Sequence, residues 1–534
     1  MTQLCRSWFS LAATGLLTTL LSLGSAVGQE SLNLQLRWQQ ESAEGSGRFH
    51  YRVRAEEWPA EQTALIVCDV WDYHSSPNAN ARLGEFVDRL NDVVEEARRR
   101  GVTIIHAPSN CMPAYKDHPA RAKAIEAPKA VNLPEEIRQW CYSIPAEEKL
   151  KYPLDQSDGG SDDDPQRQAE WSQKMAELGR NPGQPWQRQS DKIEIDDERD
   201  FISDQGDEVW NILESRGIKN VILTGVHANM CVLGRPFGLR RLSQNGKNVV
   251  LLRDLTDTMY NPKMWPHVSH FTGNDLIVAH IERLVCPTIS SEQLIGGQAF
   301  RFAADKRPHV VMVVAEKLYD TARTLPEIAV QPLGKDFRVT VLHADEKQSE
   351  GIPGLEFLEE ADVLLLSARR RSLPTDQMQR IRRFIAAGKP VVALRTSSHG
   401  FALRQGAPPE GHAAWPEFDA EVIGGNYHGH YTDGGRSSVQ VVESSKTSKL
   451  LNGFEPLPYS PGGDLYKTAP LAEGAELLLQ GHLQDSKPEP VAWTFSRADG
   501  GKTFYTSLGH PKDFKQPGFV RLLANALHWA IEKK

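Results

Sequence analysis

From Thr63 onward the chain alternates short unbroken apolar runs with segments whose apolar positions recur every three or four residues. Ala64-Leu65-Ile66-Val67-Cys68, Val102-Thr103-Ile104-Ile105, the stretch from Val221 through Leu223 to Val226, and Val249-Val250-Leu251-Leu252 are the runs of the first half. Runs of this length without polar alternation read as strands buried on both faces, as in a parallel sheet. Between them, Leu83, Phe86, Val87, Leu90, Val93, Val94 and Ala97 follow helical spacing, closed by Gly101, and Val209, Ile212 and Leu213 mark another helix. A second series begins after Arg301, with strands at 309–314, 338–342, 362–366 and 390–394. Met378, Ile381, Phe384 and Ile385 mark the helix before the last of these, and Gly388 ends it.

Strands alternating with helices predict an α/β protein of two doubly wound parallel-sheet domains in tandem, Rossmann-like or flavodoxin-like. The expected division is a 1–28 signal peptide, a 29–60 N-terminal extension, a first domain at 61–297, a linker at 298–307 and a second domain at 308–534. The extension carries short alternating pieces (Leu32, Leu34, Leu36) and reads as a small surface hairpin. Residues 107–190 are rich in Pro, Asp, Gly and Gln and read mostly as loop, either covering a site or mobile.

Composition narrows the function classes. Hydrophobic content of 40% and charged content of 24% are ordinary globular values. A net charge of −8 over 534 residues, with no basic stripe interleaved with aromatics, argues against a nucleic-acid binder. The runs Arg98-Arg99-Arg100 and Arg369-Arg370-Arg371 lie beside element boundaries and read as solvated ends. Arg6, the apolar stretch 8–23 and the small residues Ala26-Val27-Gly28 form an export signal with cleavage before Gln29, which places the mature protein in the periplasm or outside the cell and off the membrane; an uncleaved anchor is the alternative. Of six cysteines, cleavage removes Cys5, and the remaining five have neither metal-type nor knottin-type spacing.

Candidate chemistry sits where open α/β sheets hold ligands, at the carboxyl ends of strands. Asp69 directly follows the strand 64–68, and Cys231 follows the buried run at 221–226 and the turn His227-Ala228-Asn229-Met230. A thiol at the start of a helix is expected to favour its thiolate and act as a nucleophile, with Asp69 accepting its proton. A lysine would hold that carboxylate, and spacing does not choose between Lys192 and Lys151. His106 follows a strand and either faces the pocket or is a hydrogen-bonded core histidine.

ALIVCDVWD, the following helix, VTIIHAPS and VILTGVHANMCVLGR resemble the isochorismatase-like cysteine hydrolases, a family that includes nicotinamidases and related amidases, over about residues 61–297. The resemblance implies Cys231 as nucleophile, Asp69 as acid/base, backbone N–H groups at the turn as oxyanion donors, and a cis peptide at Val226–His227. It implies a catalytic lysine, for which Lys192 in RQSDKIEIDDERDFISD is the nearest match. The metal-binding Asp-x-His of nicotinamidases has no counterpart in HAPSNCMPAY; Asp72-Tyr73-His74 lies in another loop, so a metal stays undecided. Asp72, His74, His106, His227 and Asn229 are the expected pocket-lining residues.

VVALRTSSHGF, EVIGGNYHGHY, GDLYKT and KTFYTSLGH…NALHWA resemble the trehalose-utilisation (ThuA-like) family, which shares the fold of class I glutamine amidotransferases, over residues 308–534. The amidotransferase cysteine is replaced by the turn Arg395-Thr396-Ser397-Ser398-His399, so glutaminase activity is not expected. His399, His428, His430, Asp464 and His510 are the candidate residues for a sugar or a metal in this half. The whole therefore reads as an exported cysteine-nucleophile hydrolase acting on a small amide or related C–N bond, with a sugar-related second domain. The inferred mechanism requires no cofactor; the expected partners are a small-molecule substrate, a sugar ligand in the second domain and further copies of the chain. The alternative is a carbohydrate-binding or sugar-modifying protein whose hydrolase half is degenerate.

Overall fold

The computed structural model describes residues 30–347 and 350–532, so the leader assigned to 1–28, with Cys5, lies outside the described residues. The chain opens with a long hairpin, β1 (Ser31–Glu41) and β2 (Phe49–Pro59), followed by β3 (Thr63–Cys68), α1 (Pro77–Arg99), β4 (Thr103–Ala107), α2 (Pro119–Glu126) and α3 (Pro165–Glu177). Then come β5 (Phe201–Ile202), α4 (Gly206–Ser215), β6 (Asn220–Val226), α5 (Leu239–Gln244), β7 (Asn248–Asp257), α6 (His270–Leu284), β8 (Thr288–Ile289) and α7 (Glu292–Ile295). These strands form one eight-stranded sheet in the order β2-β1-β8-β7-β6-β3-β4-β5. The six strands from β8 to β5 run parallel, and every residue of β3, β4 and β6 is buried, which is why their sequences lack polar alternation. Helix α1 starts where Ser76 accepts a hydrogen bond from the Ala79 amide and Pro77 opens the first turn.

The hairpin is not the surface attachment the sequence suggested. β1 continues the sheet by pairing antiparallel with β8 at Arg37 and Thr288, and Leu32, Leu34 and Leu36 enter the core beside Phe86 and Leu90. Buried Glu282 on α6 anchors it, accepting from Arg37 Nε at 2.7 Å and Gln39 Nε2 at 2.9 Å. The alternation of Leu32, Leu34 and Leu36 was the signature of a half-buried strand. The 107–190 region likewise holds more structure than expected: α2, α3 and two 3₁₀ turns, with Asp164 capping α3 through the Gln166 and Arg167 amides.

The second half holds β9 (His309–Ala315), α8 (Thr321–Val330), β10 (Arg338–His343), β11 (Val363–Ala368), β12 (Leu373–Pro374), α9 (Thr375–Ala386) and β13 (Val391–Leu394). It continues with β14 (His412–Ala413), β15 (Gly429–His430), β16 (Ser438–Val441), β17 (Tyr466–Lys467), β18 (Ala475–His482), β19 (Glu489–Ser496), β20 (Lys502–Thr506) and α10 (Pro517–Ile531). Its eight-stranded sheet runs β10-β9-β11-β13-β20-β19-β18-β16, parallel through β20 and then an antiparallel meander. The four strands expected from the apolar runs are β9, β10, β11 and β13. The segment 298–307 packs rather than dangles: the Phe300 and Phe302 rings lie 6.1 and 6.2 Å from Phe86, and Arg307 Nη1 donates to Thr272 Oγ1 at 2.6 Å. Thr272 Oγ1 in turn donates to the Gly334 carbonyl at 2.6 Å, tying the two sheets' domains together. Among the described residues no helix is long and apolar enough to cross a membrane.

Because Leu34 is buried with the first core, Leu34→Ala is expected to destabilise the protein by about 2–5 kcal/mol, the usual range for removing a buried leucine side chain. Urea unfolding measures this, and a change within experimental error would show that the hairpin is not part of the folded unit.

Candidate active site

β3 and β6 are neighbours in the sheet, and their registers bring Cys68 opposite Gly225. Gly225 has φ +107°, and a Cβ there would sit 1.9 Å from the Cys68 carbonyl oxygen, so the two chain exits meet this closely only with glycine. The first residue beyond β3 is Asp69, held at φ +54°, a region that non-glycine residues seldom occupy. Beyond β6 the Val226–His227 peptide is cis, as the resemblance implies, and a π-helical turn, Ala228–Val232, carries Cys231. Asn229 fixes this turn: its Nδ2 donates to the Met259 carbonyl at 2.8 Å and its Oδ1 accepts from the Met259 amide at 3.0 Å. Asn229 is thus a clamp on the turn rather than a pocket wall.

Asp69 is fully buried. Its Oδ1 accepts from the Ser109 amide at 2.7 Å, and its Oδ2 accepts from Arg235 Nε and pairs with Nη2, both at 3.1 Å. The Cys231 thiol lies within hydrogen-bond reach of both the Asp69 carboxyl and the Arg235 guanidinium. Burial, reinforced by the Asp69 charge and opposed by Arg235, pushes the Cys231 thiol well above its ordinary range. The resting group is therefore a thiol, against the sequence expectation of a helix-favoured thiolate, because a five-residue turn supplies too little dipole to offset desolvation.

The geometry brings neither candidate lysine to this pair. Lys192 Nζ sits in the open on Asp88 Oδ1 and Oδ2 at 2.8 and 2.9 Å, and Lys151 Nζ lies 3.8 Å from the Trp265 ring centroid. The cation on Asp69 is Arg235, one helical turn after the cysteine, with its amide bonded to the Cys231 carbonyl at 3.0 Å and its guanidinium 5.3 Å from the Trp140 ring. The signal was present in CVLGR: a cation four residues on returns to the face of the nucleophile.

Three aromatic side chains wall the site. Trp186 stacks on Trp71 at 4.4 Å and 11°, and the His74 ring lies 6.0 and 6.1 Å from these two. Cys231 packs against this cluster with Cys111 and Tyr115. Asp72 holds the wall in place: its Oδ1 accepts from the Gln187 amide at 3.1 Å and its Oδ2 pairs with Arg180 at 2.8 Å. His74 and His227 meet edge to face at 4.9 Å. Burial pulls His74 down to about 4, and burial, with the neighbouring His74 ring disfavouring a second proton, takes His227 well below the imidazole range, so both rings are neutral at pH 7. His106 is not in the pocket. It is wholly buried between Gln189 at 3.1 Å and Asp200 at 3.0 Å, a core histidine whose acid partner also binds Arg98. The described cysteines, Cys68, Cys111, Cys141, Cys231 and Cys286, are all free, and no group of three or more His, Cys, Asp or Glu among the described residues is arranged to hold a metal.

The second domain assembles four of its five candidates. Arg395 occupies the sharp turn after β13 at φ +40°, with its guanidinium carbon 4.3 Å from the Tyr319 ring and 4.6 Å from the Tyr466 ring. The His399 ring lies 4.5 Å from Tyr427, which is 4.6 Å from Tyr466 and bonds through its hydroxyl to His430 Nδ1 at 2.7 Å. Asp464 Oδ2 lies 4.0 Å from His430 Nε2, and the His510 ring is 6.0 Å from Tyr319. His428 does not join them; it is exposed, and its amide donates to Lys467. Sequence reading missed the tyrosines and Arg395, which become a group only through folding. It also missed Asp419, a buried acid whose Oδ1 has no partner.

The ThuA family model, described as trehalose utilisation, matches residues 309–530. Among solved structures, a ThuA-like protein from Bacteroides uniformis is 15% identical with a TM-score of 0.32, covering 45% of this chain and 97% of its own. A cysteine hydrolase from Pseudomonas syringae pv. phaseolicola is 15% identical with a TM-score of 0.26, covering 44% of this chain and 92% of its own. N-carbamoylsarcosine amidase from Thermoplasma acidophilum is 16% identical with a TM-score of 0.20, covering 36% and 83%. No curated protein matches the chain. Only the second domain is matched by a family model, over residues 309–530, and the residue roles in both domains rest on the sites themselves.

Burial raises the Asp419 carboxyl to about 7, with Arg370 opposing it. Below the ordinary carboxylate range the group is protonated in both folded and unfolded chains. As pH rises from there to about 7 the unfolded chain releases this proton first, so the native state loses stability, and above that the penalty is constant. Asp419→Asn is therefore expected to be close to neutral at pH 4 and stabilising by about 2–4 kcal/mol at pH 8. Denaturant melts at the two pH values check this, and a pH-independent difference would refute it.

Proposed function

We propose that the first domain is a cysteine hydrolase cleaving a small amide or related C–N bond. The observation that carries this reading is the contact of Cys231, Asp69 and Arg235 at the carboxyl ends of two adjacent parallel strands. In the proposed cycle Asp69 takes the proton from Cys231 as sulfur attacks the carbonyl carbon, and turn amides hold the oxyanion. The C–N bond breaks, the nitrogen leaves with the proton from Asp69, and an acyl thioester remains. Asp69 then draws a proton from water; hydroxyl attack releases the acid and returns the proton to sulfur. Arg235 stabilises the charge on Asp69 and on the developing thiolate without giving up a proton of its own. The neutral His74 and His227 rings and the Trp71–Trp186 pair favour an uncharged, flat substrate portion.

On this reading no cofactor is needed, and the apolar stretch in the leader supports a role outside the cytoplasm. For the second domain we propose a saccharide site, supported by the Tyr319, Tyr427 and Tyr466 rings set beside the His399, His430 and Asp464 polar groups. If the hydrolase half were degenerate, this site alone would define the protein.

Cys231→Ala is expected to abolish turnover of small amides while leaving the melting temperature within a few degrees, and iodoacetamide should label Cys231 faster above neutral pH than at pH 6. Unchanged turnover in the alanine variant would remove the mechanism. Arg235→Gln, which leaves the buried Asp69 carboxylate without its cation, is expected to lower kcat/KM by about 10²-fold or more, comparable with loss of one electrostatic donor. Arg235→Lys should recover part of the loss; steady-state kinetics on the three proteins decide, and equal rates would exclude Arg235 from the site.

A further inference from the structure

Arg395 is a buried guanidinium with an unusual set of neighbours. It is 5% exposed, its Nη1 donates to the Ser507 carbonyl at 2.6 Å, and its Nε has no hydrogen-bond partner. Among the described residues no carboxylate stands within ion-pair distance of it. Buried charges are ordinarily paired, because removing them from water is otherwise unfavourable.

The nearby acids are committed elsewhere or carry little charge. Asp513 spends Oδ1 on the Tyr459 hydroxyl and the Gly462 amide, and Oδ2 on the Gly509 and His510 amides. Asp433 accepts from the Gly435 and Ser437 amides, and Asp464 from the Gly434 amide. Asp419 faces Arg370 and holds its proton up to about pH 7. The field around the cluster is accordingly positive: after burial, the charges of Arg370, Arg369, Arg404 and Arg395 pull His399 down to about 3. Arg370 adds a second buried, unpartnered Nε.

We propose that this cluster, at the carboxyl ends of β9, β11 and β13, binds an anionic saccharide, its acidic group on Arg395 and its ring against the half-buried Tyr427. The inference rests on the saccharide reading given above and adds the charge requirement. Tyrosine faces accept the C–H side of a sugar ring, and the rim groups His430 and Asp464 bond its hydroxyls. The acidic group itself supplies the anion that the fold withholds from Arg395, through charge-assisted hydrogen bonds.

Isothermal titration of the full chain with glucuronate, glucose 6-phosphate, glucose, trehalose, acetate and inorganic phosphate tests this. Glucuronate or glucose 6-phosphate should bind at least 10-fold more tightly than the neutral sugars and the two simple anions, and the tighter of the pair identifies a carboxylate or a phosphate as the acidic group. Arg395→Gln should abolish that preference while leaving any weak neutral-sugar binding. Since Arg395 also holds Ser507, Tyr427→Ala on the rim serves as the second variant and should weaken the anionic sugar by about 10-fold with no change in melting temperature. Neutral and charged sugars binding equally would overturn the charge requirement and leave the saccharide reading standing. Acetate or phosphate matching the charged sugars would overturn the saccharide reading, and binding of none of the six would overturn both.

Discussion

The ion pair between Asp69 and Arg235 is the constraint on which the first domain's site depends. A wholly buried carboxylate is tolerable only with its lone pairs filled, and here one backbone amide and one guanidinium do so. Removing one partner of such a pair typically destabilises by about 3–5 kcal/mol, more than most single side-chain contacts contribute. The pair also sets distances. It can form only if β3 and β6 run side by side to their ends, which Gly225 permits, and only if the turn after β6 returns Arg235 over Cys231, which the Asn229 clamp enforces. Behind the turn, Asp257 at the end of β7 is ionised despite burial because His270 and Arg82 flank it. Strand order, glycine, clamp and ion pair are successive conditions for one geometry.

The two domains solve a similar problem with opposite charge. Each ends a central parallel strand with a non-glycine residue at positive φ, Asp69 after β3 and Arg395 after β13. Such backbone positions persist only where surrounding structure holds them, and they concentrate at functional sites. In the first domain the strand-end residue is an acid and the chain supplies its cation one turn beyond the nucleophile. In the second it is a cation whose surroundings are tyrosine rings and carbonyls, with the acids turned toward backbone amides. One site is closed electrostatically within the chain; in the other, among the described residues, the guanidinium has no acid within ion-pair distance.

The fold was legible because parallel strands buried on both faces print as unbroken apolar runs, and all the runs singled out are strands. Asp69 and Cys231 were legible for a related reason, since each directly follows such a run or the turn after it. Arg235, one turn from the cysteine, was legible only through the helical periodicity within CVLGR, since the family resemblance points to a lysine elsewhere in the chain. His106 and Asn229 could not be sorted from true pocket residues, since a hydrogen bond to Asp200 or to the Met259 backbone spans about thirty to a hundred residues and leaves no local trace. The hairpin was undervalued because its alternating pattern is half-buried only when a partner strand, β8, arrives from more than two hundred residues away.

An arginine in place of a lysine has consequences for how the proposed chemistry runs. A lysine can exchange a proton with its neighbours when desolvated; a guanidinium keeps its charge at any pH the protein survives. With Arg235 fixed as a cation, proton traffic between sulfur, leaving nitrogen and water passes through Asp69 alone. The half-buried thiol, held protonated at rest, then becomes a nucleophile only when a substrate carbonyl is close enough for charge to move from sulfur onto an oxygen stabilised by turn amides. A resting thiol of this kind resists oxidants that attack free thiolates, since reactivity toward them follows thiolate character.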